Sequence, residues 1–154
     1  MPQARFIHGA KLFEGDDLVG EAGMEYTQIK LVTSVGLPFG FDVDDVESTS
    51  QDSADFTREF VPGLVTRQDC PIQIRFDPHD VAHRDLVDAA EARTLRAFKV
   101  ELPLLDSTNS TPFSVEWNGY LKLPSVPNIG LGEILNLEGT VKVASTLTIT
   151  VEAA

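Results

Sequence analysis

FDVDDVESTSQDSADFTREFVPGLVTRQDCPIQIRFD, residues 41–77, is the stretch whose reading decides the fold. It opens on Phe41 and Val43 in alternation, then enters a polar run with six acids and neither Lys nor Arg between Asp42 and Thr57. Through Arg58, Glu59, Phe60, Val61, Pro62, Gly63 and Leu64 the chain returns to extended structure. Ile72, Ile74 and Phe76 then alternate with Gln73, Arg75 and Asp77, the period of a half-buried strand. This pattern predicts two paired strands with a long polar arm, 45–59, between them. Loops of that length within a compact domain are usually functional or disordered. Pro62 and Gly63 suit an edge or a bulge, because proline cannot donate to a central ladder.

Working outward, Ile29, Leu31, Thr33 and Val35 alternate with Gln28, Lys30, Val32 and Ser34 and read as one half-buried strand ending at Gly36, Leu37 and Pro38. Residues 1–26 carry short apolar clusters around Gly15, Asp16 and Asp17 and read as an N-terminal arm or hairpin, with a β-domain over 27–154. DPHDVAHRDLVDAAEARTL, residues 77–95, reads as a helix. Asp77 is its expected N-cap, Pro78 opens the first turn, Asp80 lies one turn before Arg84, and Ala82, Leu86, Ala89 and Ala90 form its apolar stripe. Strands are expected over Ala97–Leu102 and Phe113–Leu123, the second with Val115, Trp117, Gly119 and Leu121 on one parity. Polar and Pro/Gly-rich loops follow each, at 106–111 and 124–133. Ile134–Val143 and Thr146–Val151 close the chain, separated by Ala144 and Ser145. The fold class is therefore mainly β, a β-sandwich or partly closed barrel with one flanking α-helix.

Composition narrows the function. The 154 residues suffice for one domain with a sizeable core, and a formal net charge of -12 disfavours binding nucleic acid through its phosphates. The lone Cys70, just ahead of Ile72 and Ile74, reads as a packed thiol that cannot form an internal disulfide. No apolar run is long enough for a signal peptide or a membrane span, so assembly in the cytoplasm is expected.

Three clusters could carry chemistry. His79 and His83, four apart with Asp80 between them, echo a zinc-protease helix, yet they fall in the first turns and lack a third ligand, so a solvated helix start accounts for them better. Asp42, Asp44, Asp45 and Glu47 have cation-like spacing but no glycine for the sharp turn of a calcium loop. Trp117 and Tyr120 could form a carbohydrate-stacking platform, although strand alternation places Trp117 more readily in a core. No phosphate loop or nucleophile elbow is present, and the expectation is a non-enzyme without metal or cofactor.

Taken in order, a strand, an arm rich in Asp and Ser, REFVPGL at 58–64, an alternating strand ending in FDP at 76–78, a helix, then FKVELP, WNGYLK and a terminal β-pair resemble the major tail tube proteins of long, non-contractile-tailed bacteriophages. The resemblance covers about 27–151. It implies hexameric rings whose sheets join into one inner barrel, stacked into a tube through which phage DNA is ejected. It also implies a virion location, a fold shared with type VI secretion tubes, and partners that include further copies, a tape measure protein, a tail terminator and a distal tail protein. On that basis the arm residues Asp45, Glu47, Ser48, Asp52, Asp55, Phe56, Arg58, Glu59 and Phe60 are the expected inter-ring or inter-subunit contacts. Arg58 and Glu59 are candidates for ion pairs, and Glu101, Glu116 or Glu138 for an acidic lumen. Alternative readings are a carbohydrate-binding β-sandwich module and another tail component such as a terminator.

Overall fold

The computed structural model describes residues 9–52, 57–102, 113–123 and 135–150. Ten strands and one helix follow in the order β1 (Lys11–Gly15), β2 (Tyr26–Ile29), β3 (Val32–Val35), β4 (Phe41–Glu47), β5 (Phe60–Arg67), β6 (Cys70–Arg75), α1 (Val81–Ala92), β7 (Arg96–Glu101), β8 (Ser114–Lys122), β9 (Asn136–Val143) and β10 (Thr148–Thr150). The fold is mainly β with one helix, as the patterning predicts. An antiparallel sheet runs β2-β1-β7-β8-β9-β6-β3, with β10 also on β8, while β4 and β5 form a separate two-stranded ribbon. β9 lies against β8 through residues 140–143 and β6 through residues 136–141, and β10 continues along β8 after an irregularity at residues 144–147. The expected loops at 106–111 and 124–133 lie outside the described residues.

Strand alternation sorts the side chains. Leu12, Ile72, Ile74, Phe98, Val100, Val115, Trp117, Leu121 and Val141 face one side and form the core, with Phe98 stacked on Trp117 at 6.2 Å between ring centroids. Each such burial contributes roughly 1.5–3 kcal/mol. Gly119 is required where β8 meets β9, since a Cβ there would collide with the carbonyl of Lys142.

One expected strand is two. The run from Gln28 to Val35 breaks at Lys30–Leu31, where Leu31 takes φ 62° and is 53 % exposed. That left-handed residue flips the alternation, so Ile29 is buried on β2 while β3 leaves for the opposite end of the sheet. The sheet's two terminal strands are thus joined covalently through two residues, although no ladder closes it into a barrel. The boundary expected between residues 26 and 27 falls inside β2, and β1 pairs with both β2 and β7.

Helix α1 also differs from expectation at its start. Asp80, not Asp77, is the N-cap, accepting from the Ala82 N–H at 2.9 Å, while Asp77 accepts from the His79 N–H in a turn of its own. Two turn residues therefore precede the first helical turn. His83 is not at a solvated helix start: it is 1 % exposed, stacked against Phe76 at 5.9 Å. Its Nδ1 accepts the Asp77 N–H at 3.0 Å, which leaves Nε2–H to donate to the Lys30 carbonyl at 2.7 Å. His83 thus fastens the helix start to the corner between β2 and β3. At its other end the helix closes on Arg93 in the left-handed conformation, with the Arg93 N–H bonded to the Ala90 carbonyl and the Thr94 N–H to that of Ala89.

A second buried polar group sits nearby. Glu14 on β1 is 6 % exposed, 3.4 Å from Arg96. Burial, aided by Asp85 and opposed by the Arg96 guanidinium, pushes its carboxyl up to about 7.

Two outcomes are expected. His83→Ala leaves the Asp77 N–H and the Lys30 carbonyl unpaired over a cavity and lowers unfolding free energy by about 2–4 kcal/mol. His79→Ala, at an exposed position, stays within about 0.5 kcal/mol in the same urea titration. For Glu14, the folded value lies above the ordinary 4.5, so its contribution is full below about pH 4.5 and is lost as pH rises through about 7. Glu14→Gln removes that dependence. It should match the parent at pH 4 and exceed its stability above pH 7 by about 3 kcal/mol, read from urea midpoints across the range.

Candidate assembly surface

The strands that flank the arm pair into a ribbon, and β4 takes in the arm's first residues, 45–47. β3 and β6 pair antiparallel, the Gly36 N–H bonds the Pro71 carbonyl at 2.7 Å, and the Gln68 N–H bonds the Gly40 carbonyl at 2.9 Å. From there β4 and β5 pair from Phe41–Arg67 to Glu47–Phe60, so the ribbon prolongs the sheet's terminal hairpin beyond the sheet. Seven residues of extended chain carry it roughly 23 Å outward. The ladder slips between Val43 and Asp45, where Gly63 and Leu64 supply one extra residue on β5. That is the bulge expected from Pro62 and Gly63. Gly63 is needed because a Cβ would meet Val46 and the Asp44 carbonyl.

The expected contact residues distribute along this ribbon. Asp45 and Glu47 lie on β4 and not in a loop, so the strand runs past the expected start of the arm at 45, while Phe60 opens β5 where extended structure is expected to resume. Ser48 and Glu59 continue the pairing, with the Ser48 N–H on the Glu59 carbonyl at 2.8 Å and the Glu59 N–H on the Thr49 hydroxyl at 2.8 Å. Asp52 and Arg58 are exposed, while Asp55 and Phe56 lie outside the described residues.

Apart from Phe60, the ribbon's apolar side chains were not among the expected contacts. Among the described residues, Phe41, Val43, Val46, Phe60, Val61, Leu64 and Val65 account for seven of the twelve large apolar residues left exposed, and Leu64 is 77 % exposed. Cross-strand register puts Asp42, Asp44, Val46, Val61, Leu64 and Thr66 on one face. The other face carries Phe41 beneath Arg67, with the guanidinium 5.2 Å from the ring centroid, and the Val43–Val65 and Glu47–Phe60 pairs. Alternating β-branched residues on either side of the arm were the available signal; exposure on both faces is what alternation cannot report. An isolated two-stranded hairpin is marginal in water, so a ribbon this apolar has the properties of a surface awaiting a partner.

The sheet's face opposite the core holds Glu101, Glu116 and Glu138, but not as an acidic field. Lys99 lies directly opposite Glu116 and 3.8 Å from Glu101, Gln73 donates to Glu138 at 2.6 Å, and Lys122 and Lys142 bracket Asp69 at 3.5 and 3.2 Å. Charge on this face is balanced.

The remaining clusters do not assemble into sites. Trp117 is 1 % exposed in the core and Tyr120 has the opposite parity, so the carbohydrate platform does not form. His83 uses both ring nitrogens on backbone groups, and among the described residues no group of three or more His, Cys, Asp or Glu side chains is placed to hold a metal ion. Cys70 is fully buried, and burial with the neighbouring Asp69 carboxylate raises its thiol to about 12. No described helix is long and apolar enough to cross a membrane.

Neither a family model nor a curated protein sequence matches the chain. Solved structures do. The sheath/tube terminator of the PVC extracellular contractile injection system aligns over 97 % of this chain and 99 % of its own at 12 % identity and a TM-score of 0.68. The SPP1 tail tube aligns over 96 % and 81 % at 12 % identity and a TM-score of 0.63. The tail of an empty GTA particle, refined helically with C6 symmetry, aligns over 91 % and 96 % at 19 % identity and a TM-score of 0.58. At these identities the likeness is one of fold: a tail-tube fold, common to tube and tube-terminator subunits.

Exposure of the ribbon sets a stability contrast. Leu64→Ala should change the unfolding free energy by no more than about 0.5 kcal/mol, whereas Leu121→Ala in the core costs about 2–5 kcal/mol by the same chemical denaturation.

Proposed function

We propose that this protein is a structural, non-catalytic subunit of a virion tail tube that assembles with further copies of itself. In this reading six copies close a ring, rings stack, and the β4–β5 ribbon of one ring docks on the next through Asp45, Glu47, Ser48, Asp52, Asp55, Phe56, Arg58, Glu59 and Phe60. The REFVPGL and FDP strings favour a long, non-contractile bacteriophage tail, with DNA passing through the lumen during ejection. A tape measure protein, a terminator and a distal tail protein are the partners such a tube requires. The observation that carries the reading is the ribbon itself: a solvent-exposed hairpin with apolar side chains on both faces, projecting from an otherwise closed core. Heterologous contacts of that kind close into a ring where rotation allows and otherwise propagate as a filament.

A second reading, a tube terminator, is favoured by the near-complete mutual alignment with the PVC terminator. The two differ in propagation. Negative-stain micrographs of concentrated protein should show stacked rings for a tube subunit and single rings for a terminator. Replacing residues 48–59 by Asn-Gly, a two-residue hairpin turn, removes the tip contacts and should leave rings but weaken stacking. Monomers at every concentration would overturn both readings.

A further inference from the structure

Resting on the tube reading, we infer that the receptor for the ribbon is an apolar groove on the neighbouring copy, between the C-terminal end of α1 and the C-terminal end of β8. The groove has a volume of about 760 Å³ and is floored by Val87, Ala90, Leu95 and Leu123, with Arg93 and Lys122 at its rim. It is large enough to seat several aliphatic side chains, and Leu95 in it is 46 % exposed.

Charge and shape select the ribbon as occupant. In a chain with 12 Lys and Arg against 24 Asp and Glu, this apolar groove has Arg93 and Lys122 among its lining residues. One ribbon face presents its complement: the Val46–Val61 pair and Leu64, flanked by Asp42 and Asp44. Leu64 and the valines would fill the floor while the two aspartates reach Arg93 and Lys122. Glu91 on the rim opposes this match, and Lys122 already lies 3.5 Å from Asp69, so the net attraction rests chiefly on Arg93 and on the buried apolar area. The groove is not filled by the ribbon of its own copy. There the ribbon's base, Val65–Arg67, lines a different cleft with Lys142–Thr146.

The native cysteine makes a direct test possible. Cys70 is fully buried with its thiol pushed up to about 12, so engineered thiols react without background. Leu64→Cys and Leu95→Cys proteins, prepared separately and mixed at a concentration where the parent assembles, should give a 64–95 cross-linked dimer by oxidation. Its yield should exceed several-fold that from Leu64→Cys mixed with Val81→Cys, a position 60 % exposed at the other end of α1. Arg93→Glu with Lys122→Glu should weaken assembly about tenfold, and Asp42→Lys with Asp44→Lys mixed in should restore it. A parent that assembles while the 64–95 yield equals the control overturns the groove and leaves the tube reading standing. A parent that stays monomeric overturns both.

Discussion

The bond from the His83 imidazole to the Lys30 carbonyl is the constraint on which the architecture depends. Lys30 and Leu31 carry the chain from one terminal strand of the large sheet to the other, and Leu31 makes the change in the left-handed conformation, which costs a side-chain-bearing residue roughly 1–2 kcal/mol. The strain persists because the corner is held from two sides. His83 takes the Lys30 carbonyl, and the Leu31 carbonyl accepts the Arg75 N–H at 2.9 Å. Since the other ring nitrogen accepts from Asp77, one side chain couples the helix start, the end of β6 and the β2–β3 corner. Neither a metal nor a catalytic role is needed to account for a buried histidine so occupied.

With the corner fixed, β3 must lie at the sheet's edge against β6, and the ribbon follows as the continuation of that hairpin. β3 and β6 belong to the large sheet, whereas β4 and β5, which continue from them as a separate ribbon, are wetted along most of their length. That division explains why the apolar content of β4 and β5 adds little to the fold: Leu64 stays 77 % exposed and Val61 46 % exposed in the isolated chain. In the proposed tube, what stabilises them comes from a second surface. The groove between α1 and β8, with Glu91, Arg93 and Lys122 among its lining residues, is the one proposed for that role, and donor and receptor on one chain are what a repeating contact between identical copies requires.

Electrostatics divides along the same lines. Asp42, Asp44, Asp45 and Glu47 on the ribbon are all exposed, where their charge is solvated. The sheet face opposite the core sets its acids beside Lys99, Lys122, Lys142 and the Gln73 amide, and Glu14, buried in the core, is accommodated by holding its proton more tightly.

Much of the fold was legible in the residues because it rests on local periodicity. Trp117 and its neighbours of like parity, the alternation of Ile72 and Ile74, the single helix and the bulge at Pro62–Gly63 all follow from period-two or period-3.6 patterns and from the limits of proline and glycine. The candidate surface was legible only by its acidity and its place between two strands. Periodicity is silent on which strand lies beside which, so the break at Leu31, the buried histidine and the projection of β4 and β5 were decided by tertiary structure alone. Alternation records that a side chain has two sides to choose from; only the packed sheet determines whether either side has anything to touch.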